Sequence, residues 1–77
     1  MTMYRARIET IIEGERKSFP VFPRSRKTTL FKTKEAALLA IERTKLNGRG
    51  LIYPASMNYA DFYCGATDWS QINTVAL

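Results

Sequence analysis

The sequence predicts an α+β fold: a small antiparallel sheet in the order β-β-β-α-β, one helix packed on one of its faces, and a C-terminal extension. Two patterns carry this prediction. The segment "YRARIETII" alternates with period two and is followed by the turn "EGE", the mark of a half-buried strand entering a hairpin. The segment "TKEAALLAIERTK" repeats its apolar residues at three- and four-residue spacing between a capping threonine and "NG", the mark of an amphipathic helix with both ends defined.

Each element follows from local chemistry. In the first strand Tyr4, Ala6, Ile8 and Ile12 share one face, and Arg5, Arg7 and Glu9 share the other. Gly14 supplies the positive φ that a tight turn requires. "RKSFPVF" returns as the second strand. Pro20 has no amide proton to give a ladder, so this strand belongs at an edge or carries a break. "PRSRK" is a charged loop, and "TTLFK" reads as a short third strand. Thr33 is placed to cap the helix, with Glu35 in the first turn, where the helix dipole favours an acid. Ala37, Leu38, Ile41 and Lys45 form its inward face, and Asn47 and Gly48 supply a left-handed stop. "LIY" reads as a strand ended by Pro54. "DWSQ" has the form of a capping box on Asp68 and Gln71 opening a short helix, and "INTVAL" could equally be a final strand.

At 77 residues, with 45% hydrophobic and 12% aromatic content, the chain fits one folded domain, residues 1–77. No apolar run reaches the roughly 18 residues of a membrane span, and the N-terminus carries no apolar signal segment. Cys64 is the only cysteine, which fits a reducing, cytoplasmic setting; it is expected as a small packed hydrophobe. There is no histidine, so a Ser–His or Cys–His nucleophile cannot be assembled, and one cysteine cannot make a zinc site. No glycine-rich phosphate loop is present. These observations predict a non-enzyme with no cofactor and no metal.

Charge is segregated. Residues 1–49 carry all twelve Lys and Arg against five acids, while residues 50–77 carry only Asp61 and Asp68. A basic two-thirds joined to a weakly acidic tail is the footprint of a polyanion binder. The competing account is a solvated sheet face whose basic residues salt-bridge to Glu9 and Glu15, contacts that contribute only ~0–1 kcal/mol each. Phe19, Phe22 and Phe31 are expected in the core. Tyr59, Phe62, Tyr63 and Trp69 are expected to close it beneath the helix, with some of them free to anchor a partner.

The stretches "YRARIE", "EGERKSF" and "TTLFKTKEAALLAIERTK" resemble the small DNA-binding domain of phage-type tyrosine recombinases and the related Apetala-type domain. The likeness centres on "FKTKEAA" at 31–37 and covers roughly the first 46 residues. It implies three strands on one helix, with the sheet entering the major groove. Carried over, it puts Arg5, Arg7, Arg16 and Lys17 on the exposed sheet face and Arg24, Arg26 and Lys27 in the loop, all facing nucleic acid. Guanidinium forks suit phosphates and guanine edges. Pro20, Pro23 and the residues after Asn47 depart from that pattern. A second resemblance, of "RARIETIIEG" to the opening hairpin of small phage anti-CRISPR proteins, implies instead an inhibitor of a host protein, anchored by Tyr59, Tyr63 and Trp69 with Arg24 and Arg26 at the rim. Self-association through the edge strand at Phe19 and Val21 is a third expectation.

Overall fold

The computed structural model describes residues 2–24, 30–65 and 67–77. Four strands and one helix are formed: β1 (Tyr4–Ile12), β2 (Glu15–Val21), α1 (Lys34–Arg43), β3 (Arg49–Pro54) and β4 (Asn73–Ala76). The sheet is antiparallel throughout, in the order β2-β1-β3-β4. The predicted α+β class and its C-terminal extension are what the chain adopts.

The β1–β2 hairpin closes on Glu13 and Gly14, with φ of 53° and 79°. Two successive positive φ values give the mirror-image turn whose twist matches that of the strands it joins. β2 is an outer strand, which is where Pro20 is tolerated, and the ladder runs through it as the pair Arg7–Pro20. The third strand expected before the helix is reduced, among the described residues, to one bridge. Tyr4 and Phe31 exchange backbone hydrogen bonds of 2.9 and 2.8 Å. The expected partners Thr28 and Thr29 lie outside the described residues.

Thr33 caps α1, its Oγ1 accepting from the Ala36 amide at 3.1 Å. The helix ends earlier than predicted. Thr44 is the C-cap, and Lys45, at φ 56°, takes the left-handed position assigned to Asn47 and Gly48; Lys45 is therefore past the helix and exposed. Gly48 has a different task. It lies against β1, where a Cβ would fall 2.1 Å from the Glu9 carbonyl oxygen.

Two cores result, one on each face of the sheet. Ala37 and Ile41 of α1 pack on Ala6, Ile8, Val21, Phe31 and Ile52. Gly50 admits the helix, since a Cβ there would meet Ile41 Cγ2 at 3.0 Å. On the far face Leu51, Tyr53, Phe62 and Ile72 form a second core, with Met57 and Tyr59 against it. The aromatic group therefore closes the side opposite the helix, correcting the expectation that it lies beneath α1. The reason is in β3: Leu51, Ile52 and Tyr53 are consecutive and all buried, so both faces of that strand need a cover. The cover is formed by residues 55–65 and 67–72, which make two short 3₁₀ turns, Tyr59–Asp61 and Trp69–Gln71. Asp68 caps the second turn as predicted, accepting from the Ser70 amide. Gln71 reaches the Asp68 carboxylate rather than the backbone.

Four further residues are placed differently from expectation. Phe31 is buried, but Phe19 and Phe22 are 39% and 59% exposed, because α1 lies over β1 and β3 more than over the outer strand. Ile12 sits exposed at the hairpin tip. Cys64 is exposed rather than packed, with its Sγ 3.6 Å from the Ala60 carbonyl. No helix among the described residues is long and apolar enough to cross a membrane.

Candidate polyanion-binding face

Period-two alternation along β1 puts Arg5, Arg7 and Glu9 on the face away from the helix, as the sequence predicts. The extension covers part of that face. Glu9 is its anchor, and it is buried. Arg49, its cross-strand neighbour, donates from Nε at 3.1 Å and from Nη2 at 2.6 Å to Oε1. The Tyr59 hydroxyl donates to Oε2 at 2.7 Å, and the Tyr63 hydroxyl donates to the same oxygen. Arg49 also donates to the Tyr63 oxygen at 2.9 Å, and its guanidinium lies 5.7 Å from the Trp69 ring centre.

Burial would raise the Glu9 pKa. The hydrogen bonds from Tyr63, Arg49 and Tyr59 outweigh it and hold the carboxyl below its ordinary value. Tyr63 is pushed the other way, to about 12, by desolvation of its hydroxyl and by its bond to the Glu9 carboxylate. Arg49 gains from the same partner and is raised. The ion pair that the competing account placed between Glu9 and the strand arginines is made with Arg49, forty residues away, and among the described residues Arg5 and Arg7 pair with no acid.

The predicted basic residues divide into groups. Arg7 is pre-oriented: its Nε donates to Ser18 Oγ at 3.0 Å, and its guanidinium lies 4.2 Å over the Tyr59 ring. Arg5 stands across from Tyr53 on the same face. Arg16 stands across from Ile11 on that face too, beside the hollow bordered by Arg49 and Gly48. Lys17 does not join them. It pairs with Thr10 on the helix side of the sheet and bonds Glu15 at 3.1 Å, both side chains largely solvated. The expectation that Arg16 and Lys17 share a face fails because adjacent strand residues point to opposite faces. Arg24 lies on the helix side as well, beside Arg43 at a shallow groove floored by Phe31 and Ala40. Arg26 and Lys27 lie outside the described residues. Among the described residues, only Lys17 and Arg49 form ion pairs.

Of the aromatic anchors, Tyr59 is half-buried, with its hydroxyl on Glu9. Tyr63 and Trp69 are 55% and 36% exposed, and their rings pack 5.6 Å apart. The residues that sequence reasoning missed are Glu9 as an anchor, Arg49 as its partner and Tyr53. The local signal for Tyr53 was present in the unbroken apolar run of β3; the Glu9–Arg49 pair left none, since it joins segments forty residues apart. Among the described residues no three His, Cys, Asp or Glu side chains converge as a metal site would need. Comparison with protein-family models, with curated proteins and with solved structures finds no match to this chain.

Proposed function

We propose that this chain is a non-enzymatic binding module for nucleic acid. It would use the face of the β1–β2 hairpin that carries Arg5, Arg7 and Arg16. The observation that carries the reading is the absence, among the described residues, of any acid paired to these three guanidiniums, while the one acid on their face is neutralised by Arg49. Uncompensated arginines aligned on a two-stranded ribbon suit the phosphate backbone of a duplex. The likeness of residues 31–37 to the DNA-binding domain of phage-type recombinases points the same way, and with it a phage or mobile-element origin and action in the cytoplasm.

The test is a titration of labelled random-sequence duplex and single-stranded DNA at two salt concentrations. Micromolar binding is expected at low salt, falling steeply as salt rises. Replacing Arg5, Arg7 or Arg16 by glutamine should each reduce the log–log salt slope by about 0.9. Binding that is indifferent to salt would overturn the reading.

A second reading, a phage-encoded inhibitor that binds a host protein, is favoured by a different observation. Phe22 and Leu39 are exposed apolar side chains bordering one groove, rimmed by Arg24 and Arg43. Exposed Tyr63 and Trp69 add apolar area on the far face. Loss of a co-purifying host protein on Trp69→Ala, with no DNA binding by the parent chain, would favour this reading.

A further inference from the structure

Beside the aromatic cover, the arginine face contains a hollow lined by Arg5, Arg7, Tyr53, Ser56 and Asn58 and walled by Tyr59. No acid lines it. Tyr53 is the informative member. It is only 4% exposed, and Phe62 packs edge-on against its ring at 4.9 Å. No hydrogen bond from its hydroxyl is made to any described residue, and the phenol borders the hollow. The ring is buried, but its hydroxyl keeps contact with solvent in the hollow, where a ligand could accept from it. Burial pushes its pKa up while Arg7 and Arg5 pull it down, so both guanidiniums act on the hydroxyl, which remains a donor at neutral pH. Around it the other groups are also donors. Arg7 is fixed by Ser18 and Tyr59. Asn58, which lines the hollow, accepts from the Ala60 amide through Oδ1, so the end not engaged there is its NH₂ donor.

We infer that this hollow is a seat for one phosphate group, with the Tyr53 hydroxyl as its neutral donor and the Arg5 and Arg7 guanidiniums as its charged ones. The inference deepens the nucleic-acid reading above and rests on it for the source of the phosphate. A neutral donor recessed between two cations is suited to a tetrahedral anion, whose oxygens accept in several directions. A base is a poor occupant, since the bordering Tyr59 ring is already stacked by Arg7.

The probe is labelled random-sequence duplex DNA, titrated at two salt concentrations against the full chain and against Tyr53→Phe and Arg5→Gln. Phenylalanine preserves the ring packing, and an unchanged melting temperature will verify that. Tyr53→Phe should weaken binding about tenfold, the worth of one hydrogen bond to a charged group, and leave the salt slope intact. Arg5→Gln should lower the slope by about one. If Tyr53→Phe binds like the parent while Arg7→Gln and Arg16→Gln do not, the seat is overturned and the nucleic-acid reading survives. If the parent chain ignores DNA, inorganic phosphate followed through the Tyr53 and Arg5 amide resonances decides the matter. Shifts that vanish in Tyr53→Phe keep the seat and discard nucleic acid as its source; no shifts discard both.

Discussion

Gly48 shows how one residue governs both the fold and the site. Its φ of 132° lies where side chains are rare, and a Cβ would meet the Glu9 carbonyl at 2.1 Å and Thr10 Cα at 3.0 Å. The chain entering β3 thus passes flush against β1, and only that approach sets Arg49 opposite Glu9. Gly14 provides the control. Its φ is also positive, at 79°, but a Cβ there would meet nothing within 4 Å. Gly14→Ala should therefore cost about 1 kcal/mol, the strain of a left-handed residue alone. Gly48→Ala should cost about 3 kcal/mol or more, because backbone must move as well. Denaturant unfolding of the two variants measures the difference, and equal losses would mean that the close approach contributes nothing. A functional consequence belongs to the same residue: Gly48→Ala should also disturb the Trp69 environment, since Arg49 sits between Glu9 and that ring.

Among the elements, the helix and the aromatic cover differ in what stabilises them. α1 carries its own instructions, with Thr33 at one end and apolar residues at helical spacing between. The cover has two 3₁₀ turns too short to stand alone and relies on Phe62, which is fully buried against Tyr53, Tyr59 and Trp69. Both cores share the backbone of β3, so they should unfold together. Phe62→Leu should lower stability by about 1 kcal/mol, as a shape change within a packed core does, and Phe62→Ala by about 3–5 kcal/mol. Trp69 fluorescence and far-ultraviolet dichroism should move to the same new midpoint. A fluorescence transition that precedes the dichroism would show the cover to be a separate unit. The same contrast explains what could be read from the sequence. The first hairpin, the capped helix and the strand at "LIY" were legible because period, cap and turn are local. The position of Tyr59, Phe62 and Tyr63 on the far face was not, because their partners Glu9 and Tyr53 lie elsewhere in the chain. The arginines were legible as a charge excess. That Arg16 and Lys17 point to opposite faces follows from strand alternation alone; which of them joins Arg5 and Arg7 required the register of β1 with β2.

At the scale of the whole molecule, charge segregation in the sequence becomes a division of labour. The C-terminal segment, which has no Lys or Arg beyond Arg49, covers one side of the sheet and leaves Arg5, Arg7 and Arg16 beside it. The join between the two is the Glu9 carboxylate with its three donor side chains, so the attachment should depend on pH at both extremes. Glu9 has a folded pKa depressed below its ordinary 4.5. A depressed carboxyl favours the fold at pH values above that ordinary one, and its contribution is lost as pH falls through the depressed value. Tyr63 behaves in the opposite sense. Its folded pKa is raised from 10.0 to about 12, so its contribution is full below 10 and is lost as pH rises towards 12. Tyr63 is over half exposed, so its limb should be the shallower. Melting temperature against pH should therefore form a plateau that falls off below the ordinary 4.5 of Glu9 and again above pH 10. Glu9→Gln should flatten the acid limb at some loss of stability on the plateau, since a buried charged acceptor for three donor side chains is removed. Tyr63→Phe should flatten the alkaline limb and, because its hydroxyl helps hold the Glu9 carboxyl down, make the acid limb shallower as well, with the absorbance of the phenolate titrating near 12 missing from its spectrum. If Tyr63→Phe keeps the full alkaline limb, other tyrosines carry it, and the Glu9 anchor does not extend to this residue. If Glu9→Gln keeps the acid limb, the cover is held by Phe62 packing, and the carboxylate serves only to neutralise Arg49.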